Sequence, residues 1–155
     1  MARKVKATNP LKNKRIVIVA AKFNEFITKR LLNPCLMELE RCGIQRNNIT
    51  VVWVPGSFEI PVTAQALARK KTVDAVICLG AVIKGETYHF ELVAKNAASG
   101  ILQASLQTGK PVIFGVLTTY TVDQAYKRSE ASGDNKGRDT ATAAIEMINL
   151  LSQIR

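Results

Sequence analysis

The sequence predicts an α/β domain built on a four-stranded parallel sheet with helices on both faces. Three features predict it. Four short apolar runs, each suited in length to a buried strand, recur along the 155 residues. A segment with helical spacing follows each run, and such alternation builds a parallel sheet through crossover connections. Glycine, proline and asparagine punctuate the junctions, as at Gly43, Pro55-Gly56, Gly109 and Gly133-Asp134-Asn135.

In chain order, residues 1–14 show no periodicity and read as an N-terminal arm, with the domain occupying 15–155. The first strand is 15–21, and residues 22–28 follow it at the edge where ligands bind. A helical stripe then uses Leu31, Leu32, Cys35, Leu36 and Leu39, with Gly43 as its left-handed stop. Pro34 falls inside that stripe, so Asn33-Pro34 either restarts the helix or kinks it. The second strand is Ile49–Val54, followed by Pro55-Gly56-Ser57-Phe58-Glu59 and a helix from about Ile60 to Arg69. The third strand is the run 73–78, leading through a glycine loop into a helix over 90–106 that Gly109 ends. That helix is apolar or small on nearly every face, which calls for burial and places part of it at a subunit interface. The fourth strand is 112–117. Thr121 with Gln124 forms a capping box for a helix reaching about Ala131. A turn at 133–137 precedes the last helix, which carries Ala141, Ala144, Ile145, Ile148 and Leu151 at helical spacing. The sum is a single-domain α/β/α sandwich on a four-stranded parallel sheet with helices on both faces.

Composition narrows the function classes. No apolar run approaches the ~20 residues of a membrane span. Residues 16–21 after a basic leader faintly resemble a signal peptide, but the run is short and no small-residue cleavage site follows it. Cys35, Cys42 and Cys78 form no C-x-x-C pair, and two helical turns, roughly 10 Å, separate the first two. A reducing cytoplasm fits such thiols. The formal charge is +10. A solvated surface, nucleic-acid binding or attraction of a small anion would each account for it. The basic residues are scattered outside the arm and interleave with no aromatics, so no nucleic-acid module is read.

The richest stretch for chemistry is 79–91, with two glycines and the sole histidine between an apolar strand and a helix start. Ligands of open α/β sheets bind outside the carboxyl ends of strands, where helix-start amides attract anions. A histidine there exchanges protons near neutral pH. The other strand ends also carry polar or aromatic groups: Phe23-Asn24, Ser57-Phe58-Glu59 and Thr118-Thr119. Each has an ordinary explanation by itself. Phe23 and Phe58 would serve as core lids, Glu59 as a helix-start carboxylate, His89 as a satisfied loop residue and Arg128 as one solvated charge. Four coincidences on one edge favour a site. There is no G-x-G-x-x-G, no Walker loop, no nucleophile elbow and no zinc spacing.

The motifs FNEFIT (23–28), VPGSFEIP (54–61), GAVIKGETYHF (80–90), PVIFGVLTT (111–119) and GDNKG (133–137) occur in this order. Over residues 15 to 150 the chain resembles the 6,7-dimethyl-8-ribityllumazine synthases of riboflavin biosynthesis. The resemblance implies condensation of 5-amino-6-(D-ribitylamino)uracil with 3,4-dihydroxy-2-butanone 4-phosphate, without metal or organic cofactor. It implies Phe23 stacked on the pyrimidine and Ser57, Phe58 and Glu59 on the ribityl chain. Ala81, Val82 and Ile83 would give backbone contacts, and Glu86 and Thr87 would border the phosphate. His89 would be the proton donor. Phe114 and Arg128 would come from a neighbouring subunit, Phe114 against the ring and Arg128 on the phosphate, with Asn24 and Lys136 close by. Members often carry a small residue where Glu86 stands, so its carboxylate should point away and leave the amide as ligand. Pentamers assembled into an icosahedral 60-mer, riboflavin synthase as a further partner, and no nucleic acid or membrane complete the expectation. The related archaeal-type riboflavin synthase and a non-catalytic shell protein of the same fold are the alternatives.

Overall fold

The computed structural model describes residues 1–5 and 11–155. Its strands are β1 (Ile16–Ala21), β2 (Ile49–Val54), β3 (Ala75–Ile83) and β4 (Val112–Thr119), all parallel, in the order β2-β1-β3-β4. This is the flavodoxin-like order, whose crevice lies where the order reverses, between β1 and β3. The helices are α1 (Glu25–Arg41), α2 (Ile60–Ala68), α3 (His89–Thr108), α4 (Val122–Lys127) and α5 (Lys136–Ile154).

β1 and β3 are central and covered on both faces, which is why they read as unbroken apolar runs. Their alternate residues feed two separate cores. Ile16, Ile18, Ile77 and Leu79 meet Leu31 and Leu39 of α1 and Ala141 and Ala144 of α5. Val17, Val19, Val76 and Cys78 meet Ile60 and Ala64 of α2 and Ile101 and Ala104 of α3. Each fully buried aliphatic contributes about 1.5–3 kcal/mol. The sandwich is therefore a consequence of period-two side-chain alternation on two strands.

Several expected boundaries move. The Leu79–Ile83 stretch is strand and not a glycine loop, because its ladder with β4 continues through Gly80↔Val116 to Ile83↔Thr119. β4 accordingly extends to Thr119, two residues beyond its expected end. The capped helix is real, with Thr121 Oγ1 accepting from the Gln124 amide and Gln124 Oε1 accepting from that of Tyr120. It stops at Lys127 and not near Ala131, since Ser129 leaves the helix to bridge Asn135. α5 starts at Lys136, so the expected 133–137 turn gives its last two residues to the helix. Arg69, given to the second helix, is its cap.

Pro34 neither restarts nor ends α1, which runs through it from Glu25. Proline lacks an N–H, so the carbonyl of Arg30 four residues earlier loses its helical donor. Asn135 Nδ2 donates to that carbonyl at 3.1 Å, so the helix keeps its proline without an orphaned oxygen. Gly43 has φ 104° and follows the cap residue Cys42, as a left-handed stop should. Residues 6–10 of the expected arm lie outside the described residues. Leu11 is buried against the α1 side of the sheet, and Asn48 Nδ2 donates to the Lys12 carbonyl.

Candidate functional site

The carboxyl ends of β1, β2 and β3 meet in one cleft of about 690 Å³. The ladder between β1 and β2 runs on past the strands, the Lys22 amide donating to Val54 O and that of Phe23 to Pro55 O. The chain then turns sharply at Asn24, which holds φ 60° and ψ 39°. Asparagine tolerates this left-handed conformation better than most residues. Its Nδ2 donates to the Ala81 carbonyl at 2.8 Å, tying the start of α1 to the end of β3. Phe23 is left projecting from that turn, 72% exposed.

After β2, a single 3-10 turn at Ser57–Glu59 leads into α2. Ser57 is buried under it and Phe58 is 58% exposed. Gly80 permits this arrangement: a Cβ there would lie 2.8 Å from Ser57 Oγ and 3.2 Å from Ala21 Cβ. Close backbone approach is what glycine supplies.

The β3–β4 ladder closes with the Lys84 amide on Thr119 O. The amides of Gly85, Glu86 and Thr87 then have no hydrogen-bond partner among the described residues. They stand just ahead of α3, whose first residue is the exposed His89. Together with the helix dipole, these amides make a place for negative charge.

Phe23, Asn24, Ser57, Phe58 and Glu59 line the cleft with Ala81, Val82, Ile83, Thr87 and His89. Gly85 lines it and Glu86 does not. Phe90, Leu92 and Val93 also line it, and the motif reading missed them. Their signal was available, since residues three and four apart share a helix face with His89 and Phe90.

Phe114, Arg128 and Lys136 lie elsewhere. They line a second cleft of about 410 Å³, along β4 and beside α5. β4 is an edge strand, and Phe114 is 46% exposed on it. The two clefts share no lining residue. Arg128 ends α4, its Nη1 donating to Gln124 O at 3.0 Å. Lys136 pairs with Asp139 at 3.6 Å. Asp139 lines the same cleft and was not foreseen, because Lys136 was placed in a turn where a partner three residues on has no fixed position.

Among the described residues, no three His, Cys, Asp or Glu side chains could hold a metal ion together. No helix of the described residues is long and apolar enough to cross a membrane. The three cysteines are free, and none lines either cleft. Burial pushes the Cys35 thiol from 9.0 up to about 12, a Thr140 hydrogen bond opposing it slightly. Burial likewise raises that of Cys78.

The profile of 6,7-dimethyl-8-ribityllumazine synthase matches residues 13–152. A 6,7-dimethyl-8-ribityllumazine synthase of Protochlamydia amoebophila is 54% identical over 140 residues, which is 90% of this chain and 81% of the relative. One from Leuconostoc mesenteroides subsp. mesenteroides is 48% identical over 143 residues, 92% of each chain. With a profile covering nearly the whole domain and relatives far above the identity at which family is in question, the chain belongs to the 6,7-dimethyl-8-ribityllumazine synthase family.

Proposed function

We propose that the protein is a transferase that condenses 5-amino-6-(D-ribitylamino)uracil with 3,4-dihydroxy-2-butanone 4-phosphate, forming 6,7-dimethyl-8-ribityllumazine with loss of phosphate and water. The observation that carries this reading is the single cleft in which an aromatic platform, a hydroxyl–carboxylate pair, free helix-start amides and the histidine converge. Phe23 offers a ring face to the pyrimidine. Glu59 accepts hydrogen bonds from the ribityl hydroxyls, Ser57 exchanges them through its own hydroxyl, and Phe58 lies against the chain. The Ala81-Val82-Ile83 backbone at the end of β3 borders the heterocycle.

The substrate amine adds to the ketone and water leaves, giving an imine. Removal of a proton then expels phosphate, the enol left behind becomes a ketone, and attack of the ribitylamino nitrogen on that carbonyl with loss of a second water closes the pyrazine ring. His89 moves protons in these steps, and loss of such a group costs typically 10²–10⁴-fold. The Gly85–Thr87 amides receive the phosphate, with the Glu86 side chain directed away from it. Holding two substrates in register supplies much of the remaining acceleration.

Phe114 and Arg128 complete the site of an adjacent subunit, Phe114 against the ring and Arg128 on the phosphate, with Lys136 near that phosphate. Their separate cleft on the β4 edge supports this, because one chain offers each half of the site at a different place. Leu102 and Leu106 of α3, exposed in the single chain, would be covered by the same contact. Pentamers follow, and the compact α4–α5 turn favours their assembly into an icosahedral 60-mer. Riboflavin synthase, which consumes the product, is the natural partner, and the cytoplasm is the compartment. Nucleic acid and membrane have no role. The names of the relatives do not favour the archaeal-type riboflavin synthase or a non-catalytic shell. Mixing both substrates with the protein should produce lumazine absorbance. Absence of lumazine with folded protein and both substrates present would refute the reading.

A further inference from the structure

Two buried polar residues flank the cations of the second cleft, and neither touches the cleft itself. Ser129 follows Arg128 and Asn135 precedes Lys136, and each is 1% exposed. They pair across the neck of the loop as an isolated β-bridge, and the Lys136 amide donates to the Arg128 carbonyl at 2.9 Å. The two cations thus sit on opposite arms of one closed turn.

That turn is fastened to α1 at three points. Arg30 Nε donates to Ser129 Oγ at 3.1 Å, while its guanidinium carbon lies 4.8 Å from the centroid of the Tyr126 ring. The Arg30 carbonyl, released by Pro34 from its helical bond, accepts from Asn135 Nδ2. One residue on, the Leu31 carbonyl packs against Gly137 so closely that a Cβ there would stand 1.9 Å from the oxygen. Inside the turn, Asn135 Nδ2 also donates to Glu130 O, and its Oδ1 accepts from the Arg138 amide. Arg138 itself donates to the carbonyls of Gly133 and Ala131.

A long cationic side chain is useful for binding an anion only if its root is fixed, since a loose one must be ordered on binding. Arg128 and Lys136 are exposed, and the turn carrying them is irregular. From this fastening we infer that Arg30, Ser129 and Asn135 are positioning residues, which set the spacing of Arg128 and Lys136 and thereby the affinity for the phosphate-bearing substrate. The inference rests on the reading above in which these cations face that phosphate. It assigns α1, with its internal proline, a part in recognising a group that it never contacts.

The test uses variants that keep the charge. Ser129→Ala removes the Arg30 acceptor and also the Oγ–H that donates to the Ala125 carbonyl at the end of α4, whereas Arg30→Lys keeps a cation but loses the Nε–H and the guanidinium over Tyr126. Steady-state kinetics should show KM for the butanone phosphate raised at least about 2- to 12-fold in each, the worth of the Arg30–Ser129 hydrogen bond alone. KM for the pyrimidine and kcat should stay within twofold. Competitive inhibition by inorganic phosphate should weaken by the same factor. Equal changes in both KM values, or no change in folded protein, would overturn the inference. If Ser129→Ala fails to fold, Arg30→Lys decides by the same split. Arg128→Gln is the separate check on the underlying reading. A normal butanone phosphate KM in that variant would remove Arg128 from phosphate binding and this inference with it. A raised KM there beside unaltered Ser129→Ala and Arg30→Lys would overturn the positioning alone.

Discussion

At the scale of single residues, the site is made by backbone geometry as much as by reactive groups. Asn24 is the clearest case, because one residue both tolerates the left-handed turn and ties the start of α1 to the end of β3. His89 is the one imidazole of the chain and stands at the mouth of the cleft. His89→Ala should fold normally and lower kcat by about 10²–10⁴-fold. A turnover number equal to the parent's would remove it from proton transfer. The thiols make a contrasting prediction. Cys35 and Cys78 are fully buried and their pKa values are raised, so they are protonated and inaccessible at neutral pH. Alkylation of native protein near pH 8 should modify Cys42 alone, and slowly, because burial first and then Glu38 raise its pKa too. Rapid loss of all three thiols would contradict the structure. The sign for stability is equally definite. The folded pKa of Cys35 exceeds its unfolded value, so this contribution is complete below 9.0. It is lost as pH rises through about 12.

At the scale of elements, close approaches decide function. Gly80 lets the Ser57 turn rest on β3, and a methyl group there meets both Ser57 Oγ and Ala21 Cβ. Gly80→Ala should cost about 1–3 kcal/mol, as overpacking of a tight core does. It should also raise KM for the pyrimidine, because the Ser57–Glu59 turn is displaced. Urea denaturation and substrate titration together check this, and unaltered pyrimidine binding would show that the turn accommodates the methyl group. The strand extensions belong here as well. Local pattern ended β3 where glycine appeared, yet pairing with β4 carried it five residues further. Glycine weakens a strand interior, but the ladder with β4 on one side holds this one through Gly80.

At the scale of the whole molecule, the residues proposed for one site line two separate clefts of the chain. If neighbouring subunits share each site, two defective variants should complement one another. Co-refolding equal amounts of His89→Ala and Arg128→Gln chains should restore about a quarter of parental activity at limiting butanone phosphate, the share of interfaces receiving both intact residues in a closed ring. Activity no greater than the mean of the separate variants would refute sharing. Sedimentation bears on the larger assembly. A particle of 60 chains is expected, and a stable pentamer indifferent to phosphate would eliminate the shell.

The sequence alone determined the fold class, the strand order's chemistry of burial, and the identity of the residues at the strand ends. It could do so because central parallel strands, helix stripes and caps are local patterns with fixed periods, seen in Ile16–Ala21, in Thr121 with Gln124, and in Gly43. Tertiary structure alone decided what those residues share. It joined Phe23, Ser57 and His89 in one cleft and set Phe114, Arg128 and Lys136 in another. It also explained Pro34 inside a continuous helix, since the Arg30 carbonyl that proline frees is satisfied by Asn135, 105 positions away. No window along the chain contains both partners of such a bond, so only the folded chain reveals it.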